Sequence, residues 1–263
     1  MMMTNKIKTI LAVLTVILVA GSCFKKDDSI SLIQNAQAVN MAYLKFVNVY
    51  TAPSPSAATP AAGPSVNIFV NNVKINAAAV SYAGLFPAAP AYTAVNPALA
   101  SNIKVILNRT TGPIAGDTLI NKTYDLAANS YTTVYITDTL INPTPASPYF
   151  LPFAEVVSPA RVGYFKARFL NMIPSIDTLE VFSKRLNAVI FSGTRYKNGS
   201  DLVELPTFIL TDTLQLRKVS APTTVLASIN GFFPTSERVY TVYCLGNITS
   251  SPKTRTLTSF TNK

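Results

Sequence analysis

The chain has 263 residues, of which 49% are hydrophobic and only 13% charged, and its formal net charge is +10. So many core-forming residues exclude a disordered chain, and the length fits one large domain or two of ordinary size. The sequence contains no histidine, which excludes Ser-His-Asp and Cys-His relays and any histidine metal site.

The first 22 residues are typical of a signal peptide. Lys6 and Lys8 form a basic start, and an apolar run too short to cross a bilayer ends just before Cys23. The ending "AGSC" resembles the lipobox of bacterial lipoproteins, although Ala20 occupies the position where leucine is usual. In that family the cysteine carries acyl chains such as palmitate and becomes the first residue. An uncleaved anchor helix is the alternative, and either arrangement places the rest of the chain outside the cytoplasm.

Residues 23–42 contain few apolar clusters and predict a lipidated tether. The charged stretch "FKKDD" resembles the surface-export signal of Bacteroidetes lipoproteins. That resemblance implies a lipid-anchored outer-membrane protein at the cell surface, with the periplasmic face of the outer membrane as the alternative. A solvated tether without any address function also fits the charge run. The signal residues are Lys25, Lys26, Asp27 and Asp28.

A recurrent tripeptide suggests modification of hydroxyl groups. The sequence Asp-Thr-Leu occurs four times and Asp-Ser-Ile once, and both resemble the Bacteroidetes O-glycosylation sequon. Turn formation is the alternative, since an Asp side chain caps a turn and Thr-Leu favours the strand that follows. The two interpretations are compatible, because a modified hydroxyl must be exposed. The candidate sites are Ser29, Thr118, Thr139, Thr178 and Thr213.

Two similar halves predict a tandem repeat. The stretches "YLKFVNVYTAPS" and "FKARFLNMIPSI" place Asn48 and Asn171 at equivalent positions. Each half continues with the alternating strands "SVNIFVNN" or "TLEVFSKR", then "NIKVILNR" or "TLQLRKVS". Each ends on a tyrosine-rich strand, in which Tyr135 matches Tyr243. This period-2 alternation predicts antiparallel sheets with one buried face.

The opening and closing strands of the halves resemble a known family. "KFVNVYTAP", "VNIFVNN" and "ARFLNMIPSIDTLEVF" are similar to the opening of domain of unknown function 4397, and "YTVYCLG" is similar to its last strand. The family occurs, often in tandem, in secreted or lipid-anchored bacterial proteins and has no established activity. The resemblance implies an all-β protein with two tandem antiparallel immunoglobulin-like β-sandwich domains. We expect them over residues 43–142 and 159–263, joined by a Pro-rich linker at 143–158.

The remaining residues give no catalytic site. Cys244 lies in an alternating strand, with Val242 on its face and Tyr243 on the other, and a cysteine in such a strand is usually a small core residue. The acidic residues have no spacing typical of a shared cleft or a calcium loop, and there is no glycine-rich phosphate loop. We therefore expect no enzyme, no cofactor and no metal.

The basic charge is concentrated in the second domain. Residues 159–263 hold thirteen Lys and Arg against six Asp and Glu, a net charge of +7, whereas residues 43–140 hold five against three. Accumulated positive charge favours an anionic glycan or an envelope protein as partner. Dispersed solvent-facing charge, which also discourages pairing of sheet edges, is the alternative. The candidate contacts are Arg161, Lys166, Arg168, Lys184, Arg185, Arg195 and Lys197.

The aromatic residues Tyr82, Phe86 and Tyr92 lie in a loop-rich stretch, where they could stack on sugars or cover the end of a core.

The sequence as a whole predicts a non-enzymatic envelope lipoprotein, held in the membrane by acyl chains on Cys23, that binds a glycan or protein partner. A glycosylated coat or spacer protein is the alternative, and a histidine-free hydrolase is the least favoured. We expect no nucleic-acid partner, and the sequence does not specify an oligomeric state.

Overall fold

A computed structural model describes residues 40–50, 65–108, 117–138, 148–175, 177–207, 210–246 and 255–262. Every regular element in these ranges is a β-strand, so the expectation of an all-β protein is confirmed. No helix that could cross a membrane occurs among them. The predicted signal peptide, the lipidation site Cys23, the export signal at 25–28, Ser29 and Thr139 lie outside the described residues.

The first half forms two sheets. One has the order β4-β1-β8-β9, with β5 also paired to β1, and the other has the order β3-β2-β6-β7. The strands are β1 Ala42–Asn48, β2 Val66–Val70, β3 Val73–Lys74, β4 Leu85–Phe86, β5 Thr93–Val95, β6 Ala98–Leu107, β7 Thr118–Leu126, β8 Tyr131–Asp138 and β9 Pro148–Ala154.

The second half repeats this arrangement. Its sheets have the orders β13-β10-β16-β17 and β12-β11-β14-β15. The strands are β10 Tyr164–Asn171, β11 Leu179–Ser183, β12 Ala188–Thr194, β13 Val203–Pro206, β14 Asp212–Lys218, β15 Ala221–Phe232, β16 Val239–Leu245 and β17 Thr256–Thr261. In each half the two sheets enclose a hydrophobic core, as in a β-sandwich.

The register of the central strands reproduces the repeat seen in the sequence. Val47 of β1 pairs with Tyr135 of β8, and Leu170 of β10 pairs with Tyr243 of β16. Both of these pairs are parallel, whereas the other strand pairs are antiparallel. The sheets that contain them are therefore mixed, because the first strand and the next-to-last strand of each half run side by side in one direction.

The two equivalent asparagines hold equivalent turns. The side chain of Asn48 donates to the carbonyl of Val80 at 3.1 Å and accepts from the backbone amide two residues further on at 3.3 Å. Asn171 does the same with the carbonyl of Thr194 at 3.1 Å and with its own i+2 amide at 3.0 Å. Both asparagines are fully buried. Each one satisfies two backbone groups where the chain leaves the sheet, which explains why both halves carry an amide there.

The predicted linker is partly a strand. Residues Pro148–Ala154 form β9, which pairs along β8 as far as Asp138. β9 is the edge strand of its sheet, and an edge strand tolerates prolines such as Pro152 because one side of it needs no hydrogen-bond donor. The first sandwich therefore extends into the segment 143–158 that the proline content assigned to a spacer.

A third hydrophobic cluster joins the two sandwiches. It consists of side chains on the outer faces of the β1-β8-β9 and β10-β16-β17 sheets, and we call it the interdomain cluster. The rings of Tyr135 and Tyr243 meet in it with their centroids 5.9 Å apart. Phe46 points into the first core while Val47 points into the interdomain cluster, so β1 is buried on both faces. The four sheets thus lie in one stack within the compact unit that spans Asn40–Lys263.

Replacing Asn48 or Asn171 with alanine should destabilise the protein. Each substitution leaves a buried carbonyl and a buried amide without their partner, which should lower the free energy of unfolding by about 1–3 kcal/mol. Chemical denaturation of the two variants measures this loss. Lys122→Ala, at an exposed position of β7, is the control and should change stability by less than about 0.5 kcal/mol. A loss no larger than the control's would contradict the assigned role.

Candidate functional site

A polar groove lies along one side of the second sandwich. It has a volume of about 520 Å³ and is lined by β12 and by the segment that leads into β13. Ser192, Asn198, Ser200 and Asp201 contribute hydroxyl, amide and carboxylate groups, and Ile190 contributes apolar surface. Within the described residues, no group of three or more Cys, Asp or Glu side chains gathers as a metal site would require. The groove therefore offers hydrogen-bonding groups rather than metal ligands.

The wall of this groove is fixed by backbone hydrogen bonds to β10. The amide of Lys197 donates to the carbonyl of Asn171 at 2.8 Å, and the amide of Ser200 donates to the carbonyl of Phe169 at 2.8 Å. The hydroxyl of Ser200 accepts from the amide of Phe169 at 2.9 Å. This segment thus continues the β10 sheet, so the groove is formed before any ligand binds.

Gly199 lets the groove wall approach the rest of the molecule closely. A Cβ atom at this position would lie 2.5 Å from Cδ2 of Leu170, and Phe153 of β9 is the next side chain nearby. Leu170 and Phe153 both belong to the interdomain cluster. The position of the groove wall is therefore tied to the packing between the sandwiches.

Two of the predicted basic contacts flank the groove. Arg195 is exposed at the end of β12. Lys197 is half-buried, with Nζ 4.3 Å from the ring centroid of Tyr149. Burial lowers the pKa of Lys197, and the charge of Asp138 acts in the opposite direction. Both residues lie between the groove-lining Thr194 and Asn198 in the chain, and the charged side chain that lines the groove itself is Asp201.

The other predicted contacts do not join these two on one face. Lys184 and Arg185 precede β12 and are exposed, so a strand about 23 Å long separates them from Arg195. Arg161 forms an ion pair with Glu204 at 2.7 Å. Lys166 donates to the carbonyl of Pro159 at 3.0 Å. The structure thus divides the predicted basic face into separate small groups.

Arg168 is not a surface contact. Its side chain is 13% exposed and forms an ion pair with Glu155, whose side chain is 1% exposed, at 2.7 Å. It also donates to the carbonyl of Ala154 at 3.1 Å. The outer face of β10 is covered by the first sandwich, so the interpretation of Arg168 as a partner-binding residue is wrong.

Arg168 belongs to a buried group that the sequence pattern did not predict. We call it the interdomain polar cluster, and it consists of Lys45, Tyr92, Glu155, Arg168, Thr241 and Asn262. Lys45 is fully buried, and its Nζ lies 4.2 Å from the ring centroid of Tyr92 and 4.6 Å from that of Phe260. Burial lowers the pKa of Lys45 to about 8, although the charge of Glu155 acts in the opposite direction.

Asn262 holds the centre of this polar cluster. Its Nδ2 donates to Glu155 Oε2 and to Thr241 Oγ1, each at 3.0 Å. Its Oδ1 accepts from the hydroxyl of Tyr92 at 3.3 Å. Burial raises the pKa of Glu155, while the guanidinium of Arg168 acts to lower it. The one sequence signal for this cluster is a lysine in the middle of "AYLKFVN", a strand whose other residues before the final Asn48 are apolar or aromatic.

The three aromatic residues of the loop-rich stretch contribute to packing. Tyr82 packs against the interdomain cluster, and Phe86 packs against the first core. Tyr92 makes an edge contact with Tyr131 at 5.1 Å and belongs to the interdomain polar cluster. These placements favour the interpretation that the rings cover the cores rather than stack on sugars.

Three of the four Asp-Thr-Leu tripeptides, at 117–119, 177–179 and 212–214, lie at the start of a strand, as turn chemistry predicts, whereas Asp138 ends β8. Asp212 accepts from the amide of Arg185 at 2.9 Å, and Asp177 accepts from the hydroxyl of Ser175 at 2.9 Å. Among the described candidate threonines, Thr118 is exposed, whereas Thr178 and Thr213 are half-buried. Glycosylation of these residues stays a prediction.

Cys244 is a core residue. It packs in the second core with Val242, while Tyr243 points into the interdomain cluster, so the predicted division of faces is confirmed. Its thiol lies 3.3 Å from Oδ1 of Asn171. Burial raises the pKa of the thiol to about 12.

Cys244 should resist alkylation in the folded protein. At about pH 8 its thiolate fraction is minute and the sulfur is covered, so iodoacetamide should label it only after unfolding. Mass spectrometry of a Cys23→Ser chain, with and without denaturant, measures the labelling. A cysteine introduced by Thr123→Cys on the exposed face of β7 should react without denaturant. Equal rates at the two positions in the native protein would contradict the assignment.

Comparisons with known proteins give no family. No family model matches the chain, and no curated protein matches it. Among solved structures, it is similar to the Bacillus anthracis TIE protein, with 9% identity over 79% of this chain and a TM-score of 0.23. The match covers 34% of that chain.

Proposed function

We propose that this protein is a non-enzymatic lipoprotein of the cell envelope that binds a glycan in the polar groove of its second sandwich. The groove itself is the observation that carries the proposal. Its volume of about 520 Å³ lies in the range of small-ligand sites. Its wall is held by hydrogen bonds to β10, so little ordering is required when a ligand binds.

The chemistry of the groove suits sugar hydroxyls. Asn198 can donate and accept, Ser192 can do the same, and Asp201 accepts from two hydroxyls at once. Ile190 offers apolar surface to the C–H face of a sugar ring. The exposed Arg195, which directly follows the groove-lining Thr194, and the net charge of +7 in residues 159–263 favour an anionic glycan over a neutral one.

The cellular location is part of the same proposal and is supported by the sequence. Acyl chains on Cys23 anchor the protein in the outer membrane, and the "FKKDD" signal directs it to the cell surface. Two acyl chains hold a protein firmly, because each buried methylene contributes about 0.8 kcal/mol. The two sandwiches are copies of domain of unknown function 4397. O-glycosylation modifies the exposed Asp-Thr-Leu sites.

A structural spacer is the second candidate. The observation that favours it is the stack of four sheets with a buried interface between the sandwiches. Such a body would keep its shape while it holds other components away from the membrane. It would need no ligand in the groove.

Changes in the groove should weaken glycan binding. Bacterial polysaccharides, both anionic and neutral, are titrated against the full chain in detergent by calorimetry. Asn198→Ala and Asp201→Ala should each weaken binding about tenfold, since a lost hydrogen bond of about 1.4 kcal/mol corresponds to that factor. Raising the salt concentration should weaken the binding of anionic glycans further.

Lys184→Ala, at the far end of β12, is the matched control and should bind like the unchanged protein. Equal weakening by all three variants would show that the groove is not the contact. The absence of saturable binding to any polysaccharide would refute the glycan proposal and favour the structural spacer.

A further inference from the structure

Three groups with complementary reactivity meet in the interdomain polar cluster. They are the primary amine of Lys45, the carboxamide of Asn262 and the carboxyl group of Glu155. Lys45 is 0% exposed and Asn262 is 2% exposed, and the side chain of Glu155 is 1% exposed. Water is therefore largely excluded from all three, which favours a reaction between the side chains over hydrolysis.

The amine of Lys45 lies next to two residues that adjoin Asn262, namely Thr261 and Tyr92. Nζ of Lys45 is 3.5 Å from the carbonyl oxygen of Thr261, the residue directly before Asn262. It also lies 4.2 Å from the ring centroid of Tyr92, whose hydroxyl donates to Oδ1 of Asn262 at 3.3 Å. The amine thus contacts both the backbone next to the carboxamide and the residue that binds the carboxamide oxygen.

We propose that Lys45 and Asn262 form an intramolecular isopeptide bond, with Glu155 as the catalytic residue. Nζ of Lys45 attacks Cγ of Asn262, and a new N–C bond forms. The bond between Cγ and Nδ2 breaks, and Nδ2 leaves as ammonia. An amine and a carboxamide thus become a secondary amide and ammonia, and the exchange involves no change of oxidation state.

Glu155 is placed to move the proton that this exchange requires. Its Oε2 already accepts a hydrogen bond from Nδ2 of Asn262 at 3.0 Å, so it contacts the leaving group. Once Nζ of Lys45 has moved onto Cγ of Asn262, Glu155 takes a proton from the attacking amine and delivers one to Nδ2, as a general base and then a general acid. Burial lowers the pKa of Lys45 to about 8, which increases the fraction of neutral, nucleophilic amine, and it raises the pKa of Glu155, which makes the carboxylate a stronger base.

Two further residues support the reaction. The hydroxyl of Tyr92 donates to Oδ1 of Asn262, the oxygen on which negative charge develops during the attack, and a fixed donor there stabilises the tetrahedral intermediate. Arg168 is a positioning residue, because its 2.7 Å ion pair holds the Glu155 carboxyl group in place. Because the fold already holds the reacting groups together, the reaction avoids the entropy loss of a bimolecular encounter.

The bond would link the two sandwiches covalently. Lys45 lies on β1 of the first sandwich, and Asn262 directly follows β17 of the second. The resulting loop contains both sandwiches. Neither could then separate from the other, and the chain could not be fully extended by force.

Intact-mass spectrometry tests the proposal. The full chain with Cys23→Ser, which removes the acylation site, should be lighter than its sequence mass by one ammonia molecule. Proteolysis should yield a branched peptide in which Lys45 is joined to Asn262. The variants Lys45→Met, Glu155→Gln and Asn262→Ala should each keep the full mass. Tyr92→Phe should form the bond more slowly, as followed by mass during refolding.

Lys166→Met, which changes a lysine on the same face of β10, is the matched control and should still lose ammonia. A folded chain with the full sequence mass and separate Lys45 and Asn262 peptides would overturn the proposal. Loss of ammonia mapped to another position, such as the Asn198-Gly199 pair, would overturn it as well. The mass and peptide map of the chain that keeps both Lys45 and Asn262 decide the question even if some variants fail to fold.

Discussion

The packing of the β1-β8-β9 sheet against the β10-β16-β17 sheet determines most of the other features of this molecule. The aromatic contact between Tyr135 and Tyr243 is part of this packing, and each fully buried side chain of this size contributes about 1.5–3 kcal/mol. The same packing covers Arg168 and removes it from the basic surface. It also supports the groove, because Gly199 rests on Leu170 and Phe153. The interface thus links the fold to the candidate binding site.

This interface contains charges that an apolar contact would not need. Burying Lys45, Glu155 and Arg168 removes their hydration, and a buried ion pair seldom recovers that cost in full. The proposed isopeptide bond explains why a lysine is buried here, since the amide that forms is uncharged. Glu155 and Arg168 then remain as a paired, neutralised unit. A cluster that only held the sandwiches together could be replaced by apolar side chains.

The repeat pattern predicted more of the fold than of the site. It identified the equivalence of Tyr135 with Tyr243 and of Asn48 with Asn171, because both pairs follow from local spacing. It could not predict that the outer face of β10 is covered, since alternation shows which residues share a face but not what packs on it. For the same reason the sequence pattern predicts that Arg168 lies on the surface. The prolines in residues 148–154 predict a spacer, although these residues form an edge strand.

Differential scanning calorimetry of the full chain with Cys23→Ser tests most directly whether the two sandwiches form one cooperative unit. We predict a single transition whose calorimetric enthalpy equals its van't Hoff enthalpy, because the interdomain cluster couples the two cores. Two separate transitions, one for each sandwich, would contradict this account. They would mean that the interface between the sheets contributes too little to hold the halves together.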